Sequence, residues 1–468
     1  MATTQYDLVP YPALASPYTH AERLATVGKL LGMQPAPVEN CRVLEIGCSD
    51  AGNLIPMAYA LPSSRFVGLD LAPGPIADGR RAAADLGLDN LTLRACDLRD
   101  ISADWGEFDY IVAHGLYSWV PEDVREGLLA VCGERLASEG IAYISYNAHP
   151  GGRIRQMVRE MVLYHIRHAQ TARERIGQAR QFLENLLQVR VVSSAWLGVR
   201  DEEIRLMLAL DDSGLYHDDL AESHECFYFH EFAAAAGRHG LQYLGEGEPH
   251  QMFDPKGTLT GFQGDVLEYE QYLDLMYLRR FRRTLLCRVD RPLERQISPQ
   301  QMPGFLFSAQ ARRLENGQIE GARKVCIAAT NEAAANVAMA LGEVYPGPVP
   351  FQKLVPCAGN AEVLSQILYE MMLLGFVNLH LFDFPCQKTV TERPRANRLV
   401  RYQAARSNVV TSAYHMSTNL DEVSRRVVEL LDGTRTHDEI AASLQVEQAR
   451  ESLGPCLERM ALHGLLEG

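Results

Sequence analysis

No stretch of about 18 or more uncharged apolar residues occurs in the chain, which argues against an ordinary membrane-spanning helix. The N-terminal segment, MATTQYDLVPYPALASPYTHAER, has neither a basic leader nor an apolar core, which argues against export. Ten cysteines are scattered without a Cys-x-x-Cys pair, so reduced thiols in a cytoplasmic setting are expected rather than a disulfide framework. Positive charge is in deficit: the net charge of −14 argues against nucleic acid as a partner and mildly favours a cationic one. Lysine is rare beside arginine. What remains is the composition of a soluble globular protein, 47% hydrophobic and 22% charged over 468 residues. That length is too great for one core and implies about two to four domains.

The most informative stretch is VLEIGCSDAGNLIPMA at 43–58. VLEIG reads as a strand buried on both faces, and helical spacing begins at Asn53. A strand, a tight glycine turn and a helix N-terminus cradle nucleotide cofactors, because unpaired N–H groups gather there and the backbone can approach closely. Gly47 and Gly52 stand five apart with Ser49 between them, so G-x-G-x-x-G is not matched, and no Gly-Lys-Ser/Thr follows to make a P-loop. Glu45, two residues before Gly47, would repel a pyrophosphate but suits a cation, such as the amino-acid part of S-adenosylmethionine (AdoMet). NAD is therefore disfavoured. Cys48 is simply small enough for the turn.

Further strands bring further acids. FVGLDLAP ends a second strand at Asp70, followed by Leu71, where a carboxylate can accept both ribose hydroxyls. LTLRACDLRD ends a third at Asp97, positioned for the adenine amine, with the backbone N–H of Leu98 next on the ring. FDYIVAHGLYSWV is a fourth strand opening into a pocket rim at His114, and GIAYISYN a fifth. Any one acid alone could merely cap a helix or turn; acids at three successive strand ends point to AdoMet, with S-adenosylhomocysteine (AdoHcy) as product. The expected cofactor-binding set is Glu45, Gly47, Cys48, Gly52, Asn53, Asp70, Leu71, Asp97, Leu98 and His114.

With these segments, the chain resembles the class I AdoMet-dependent methyltransferases that carry a methyltransferase regulatory domain. That family includes the rickettsial protein-lysine methyltransferases that modify an outer-membrane protein. Besides the segments above, the resemblance rests on YDLVPYPALASPYTHAERLATVGKLLGM, SYNAHPGGRIRQMVREMVLYH, LYHDDLAESHECFYFHEF and FRRTLLCR, from about residue 6 to 290. It implies AdoMet contacts for Glu45, Gly47, Gly52, Asp70 and Asp97. Here the family's middle glycine is replaced by Ser49, and Ala51 sits where glycine is common, which would crowd the turn if φ > 0 is required.

The expected architecture is α/β: a doubly wound, Rossmann-like class I methyltransferase domain with a helical insertion, then α-rich winged-helix-like modules. Helical periodicity over 151–190 opens a lid insertion at about 151–224; residues 230–249 supply a helix and sixth strand, and TLLCRVD at 284–290 the seventh. The boundaries expected are 1–292, 293–392 and 393–468. The last two rest on a weak repeat, helix–turn–helix–helix, each copy ending in Met-x-x-x-Gly: Met371 to Gly375 and Met460 to Gly464. Acids and arginines balance over 393–468, so scaffold or homodimer contact and peptide recognition stand ahead of nucleic-acid binding.

Methyl transfer is an in-line displacement, so catalysis is alignment and desolvation. Tyr18, His20, His114, Tyr117, Tyr146 and Asn147 are the candidates to line the substrate pocket, since tyrosine rings and amide oxygens hold amines. His114 could accept a proton or only shape the pocket. His217, His224, Cys226 and His230 match no closed zinc spacing, and no metal is expected; His217 or Glu225 at the substrate entrance is the better use. The expected reaction is N-methylation of protein lysine, with a small molecule, natural product or modified peptide as the alternative substrate and a non-catalytic AdoMet-binding scaffold as the last.

Overall fold

Strands and helices alternate from Arg42 onward, and the strands assemble into one seven-stranded sheet in the order β3-β2-β1-β4-β5-β7-β6. These are β1 (Arg42–Ile46), β2 (Arg65–Asp70), β3 (Leu91–Ala95), β4 (Phe108–Ala113), β5 (Leu136–Asn147), β6 (Leu241–Glu246) and β7 (Phe281–Arg288). The computed structural model describes residue 9 and residues 14–189, 194–221, 223–328, 331–444 and 449–467; the other residues of the N-terminal segment quoted above lie outside these. β1 to β5 run parallel, while β7 is antiparallel to both β5 and β6. β1 and β4 are buried on both faces, and the strand order reverses between them. The crevice above that reversal is where a doubly wound sheet takes its ligand.

The insertion extends the helix read at 151–190. Helices Gly152–His165, Ala172–Gln188, Ala195–Leu208 and Asp212–Asp219 share a core of Val158, Val162, Leu183, Ile204, Met207 and Leu215. A fork from Arg155 to Asp219, at 2.7 and 2.9 Å, ties its first helix to its last.

β7 contributes the most buried charge. Arg282 is fully buried and meets Glu246 at 2.5 Å, Glu270 at 3.0 Å and Asp274 at 2.9 Å, with its guanidinium over the Phe229 ring. The helix Val266–Tyr277 carries two of those acids, Glu270 and Asp274.

Beyond the sheet, strands Leu306–Ser308, Val349–Pro350 and Asn378–His380 pair antiparallel beside three helices, Glu332–Val344, Phe351–Ala358 and Ala361–Leu373. Residues 395–467 form a second unit: helix Arg398–Ala404, hairpin Val409–Thr411/Ser417–Asn419, and helices Glu422–Leu430, His437–Leu444 and Ala449–Leu462. The repeat has a shared physical origin. Gly375 and Gly464 adopt φ of 70° and 69°, and the residue after each returns its N–H to the methionine carbonyl, Phe376 to Met371 at 2.8 Å and Leu465 to Met460 at 2.9 Å. Both are Schellman stops, which glycine makes without strain. In the last unit the segment after Gly464 makes a single bridge, Leu466 to Ala396.

Candidate active site

The turn after β1 is built around a buried acid. Glu45 is 5% exposed, and its Oε1 accepts from Asn53 Nδ2 at 2.9 Å, while Oε2 is buried with no partner. Burial pushes its pKa up to about 8; the nearby Asp50 and Asp70 push the same way, and the bond from Asn53 opposes them. Gly47 has φ 79°, and its N–H and that of Cys48 both donate to the Leu69 carbonyl, closing the turn against β2. Ser49 and Ala51 adopt φ of 50° and 62°, whereas Gly52 does not enter the left-handed region. The conformational demand thus falls on Ser49 and Ala51 rather than on Gly52, and the chain meets it with ordinary residues. Cys48 is buried within the turn.

The acid at the end of β2 holds two loops at once. Asp70 accepts from Ser49 N at 2.9 Å and from Ala72 N at 2.8 Å. Next to it the Leu71 side chain is 57% exposed, an apolar surface left open at the strand end. Asp97 behaves differently: it caps a short turn through Arg99 N at 2.9 Å, and the Arg99 guanidinium forks onto its carboxylate at 3.0 and 2.7 Å. Those bonds hold its pKa below the ordinary carboxylate value. Leu98 beside it is buried.

At the end of β4, His114 is open to solvent yet crowded by protein, as a residue lining a concave cleft must be. Its Nδ1 lies 2.9 Å from the Tyr143 hydroxyl and 3.1 Å from Ser145 Oγ. Ser145 Oγ also accepts from Gly115 N at 2.8 Å. Desolvation first, and Arg283 second, lower the His114 pKa to about 4. It is neutral near pH 7, which favours shaping the pocket over accepting a proton, the two roles left open above. Past β5 lies a cavity of about 330 Å³ lined by His149, Arg153, Glu160, His224, Glu225 and Cys226.

Comparison with known proteins agrees with this geometry. Residues 43–140 match the methyltransferase domain family, 211–288 a family described as predicted methyltransferase regulatory domain, and 392–463 the PKMT C-terminal winged helix domain. Uncharacterized protein RP789 of Rickettsia prowazekii is 31% identical over 460 residues, covering 92% of this chain and 83% of its own. The chain belongs to the AdoMet-dependent methyltransferases of this build. The structure of PKMT2 from Rickettsia typhi in complex with AdoHcy superposes with a TM-score of 0.88 at 26% identity, covering 98% of this chain and all of that one. Aklanonic acid methyltransferase DauC of Streptomyces is 32% identical over 104 residues, 22% of this chain. This methyltransferase uses AdoMet, and the unpartnered Oε2 of Glu45 is the kind of acceptor its ammonium requires.

Several expected pocket residues lie elsewhere. Tyr117 and Tyr146 are 3% and 1% exposed and pack with Phe227 and Phe232 in an aromatic cluster, so neither has a face for an amine. His20 is buried and serves as N-cap of the helix Ala21–Leu30, its Nδ1 accepting from Glu22 N at 3.1 Å. Tyr18 is half-buried, its hydroxyl taking a bond from Arg323 at 2.8 Å and its ring lying under Arg283 at 4.4 Å. Asn147 remains near the cleft, its Nδ2 3.1 Å from His224 Nε2, which lines the cavity past β5. The histidine-rich segment disperses: His217 Nε2 donates to the Val9 carbonyl at 2.6 Å, and His230 bonds to Gln271. Of the two entrance candidates, Glu225 lines the cavity and His217 does not. Among the described residues no group of three His, Cys, Asp or Glu is arranged to hold a metal, and no helix is long and apolar enough to cross a membrane.

Proposed function

We propose that this methyltransferase N-methylates lysine side chains on a protein substrate. The observation that supports the reading is the correspondence with PKMT2 along the whole chain, together with the match of residues 392–463 to the PKMT winged helix. The relative with a small-molecule name, DauC, matches only about a fifth of the chain. In the same reading the chain divides near residues 292 and 392 into the catalytic domain and two winged-helix-like modules.

When bound, AdoMet supplies an electrophilic sulfonium methyl group for in-line transfer to the amine. Glu45 Oε2 receives the ammonium of the methionine part, Asp70 the ribose, and the open side chain of Leu71 the adenine face. The backbone of Gly47 and Cys48 lets the ligand approach the turn closely. Asp97, held by Arg99 but with acceptor capacity left on Oδ2, is the candidate for the adenine amine. His114, neutral, orients groups at the rim by hydrogen bonding and keeps positive charge out of the path of a cationic side chain. Glu160 gives the cavity past β5 a carboxylate that attracts an ammonium, while Glu225 there is paired with Arg125 at 2.9 Å.

Transfer of labelled methyl from AdoMet into a clarified extract of the source cell tests the proposal. Label recovered as methyl-lysine in a discrete protein and lost in Asp70→Ala is the expected result. Label confined to the small-molecule fraction would overturn it.

A further inference from the structure

The C-terminal winged helix domain reaches into the cofactor turn. Its hairpin carries His415 next to the tip, at φ 57° and 2% exposed, and Ser417 Oγ anchors the same hairpin to the Ala15 carbonyl at 2.9 Å. Ala413 N binds the Gly464 carbonyl at 3.0 Å, so the hairpin is also fixed to its own domain. His415 Nε2 lies 2.8 Å from Asn53 Oδ1. The Asn53 amide orientation follows from its other end, where Nδ2 donates to the Glu45 carboxylate at 2.9 Å. Oδ1 can only accept, so His415 Nε2 carries the proton.

Two other groups approach Oδ1, and neither replaces His415. Thr19 Oγ1 is 2.9 Å from Oδ1 but also 2.9 Å from the Ser16 carbonyl, and its hydroxyl has one proton to share between them. Ser16 N stands at 3.4 Å, near the limit of a useful bond. His415 is the short donor whose proton is committed to Asn53. Without it the amide loses a restraint that keeps its oxygen away from Glu45, and once an ammonium ligand holds Glu45 ionised a flipped amide would set oxygen against a carboxylate.

We propose that His415 is a positioning residue for the cofactor: by fixing the Asn53 amide it aims the free Oε2 of Glu45 at the AdoMet ammonium, so the winged helix domain completes the cofactor site. This rests on the placement of the ammonium at Glu45 given above. Linkage makes the coupling reciprocal, and ligand in the turn in its turn favours the docked hairpin.

Calorimetric titration of the full chain with AdoHcy and with 5′-methylthioadenosine, which lacks the amino-acid part, separates positioning from general support. His415→Ala should weaken AdoHcy about fivefold or more while leaving 5′-methylthioadenosine within about twofold. His415→Gln, whose amide can donate in place of the imidazole, should recover most of the loss. Glu45→Gln should weaken AdoHcy and spare 5′-methylthioadenosine in the same way. Unchanged AdoHcy affinity in His415→Ala, or equal loss of both ligands with no recovery in His415→Gln, overturns the role of His415 alone. Unchanged AdoHcy affinity in Glu45→Gln overturns the placement of the ammonium, and the role of His415 with it.

Discussion

Asn53 donates its amide hydrogen to Glu45 Oε1 across 2.9 Å and leaves Oε2 buried and unpartnered. With its pKa raised to about 8, Glu45 holds a proton at pH 7 in the free enzyme. An ammonium ligand favours the carboxylate, so AdoHcy binding at pH 7 should release close to one proton. Affinity should fall as pH drops below about 8, approaching tenfold per unit. Calorimetry in buffers of differing ionisation enthalpy reads the proton directly, and no release would remove Glu45 from the ligand.

The turn invites a stability comparison. Gly47→Ala places a side chain at φ 79° and should cost about 1–2 kcal/mol. Ala51→Gly relieves φ 62° but gives up a buried methyl, so it should lie within about 1 kcal/mol of the parent. Urea unfolding of the two variants checks the contrast, and equal losses would mean that backbone strain is not what the turn selects against.

Arg282 should be irreplaceable. Arg282→Met leaves Glu246, Glu270 and Asp274 buried with their shared cation gone, and about 3–5 kcal/mol of stability should go with it. A folded, cooperative variant with an unchanged denaturation midpoint would show that Arg279, which lies 3.1 Å from Asp274, suffices alone.

The second- and third-strand acids should separate in titrations with AdoHcy. Asp70→Ala removes the acceptor that clamps Ser49 and Ala72, and binding should weaken about a hundredfold. Asp97→Ala breaks a partly exposed pair with Arg99 and should cost about fivefold at most. The reverse order would make Asp97 the stronger hold on the cofactor.

His114 gives a pH signature by its absence. With its pKa lowered to about 4, kcat/KM between pH 5 and 9 should show no inflection near 6.5 that belongs to this ring. An inflection there that disappears in His114→Gln would restore it as the base.

Tyr146 shows why strand ends were legible and pocket walls were not. Reading β5 as a strand ending at Asn147 needed only its apolar run, but the side-chain period of two decides which face each residue serves. Ala142, Ile144 and Tyr146 pack on one side, whereas Tyr143 and Ser145, on the other, reach His114. The parity of Asn147 could have picked out Tyr143 and Ser145 and rejected Tyr146. His20 was misread for a related reason: a helix cap and a catalytic imidazole look alike until the N–H that binds the ring is seen.

The sequence by itself determined the alternation of strands and helices, the acids at their ends and the paired glycine stops, because each is a local matter of periodicity or backbone freedom. Only the tertiary structure decided that Asn53 meets His415 across 362 positions, that Tyr18 meets Arg323 across 305, and that Arg282 gathers three acids. Local pattern carries no record of which surfaces of separate domains meet, and those contacts form only when the packed cores bring them within hydrogen-bond reach.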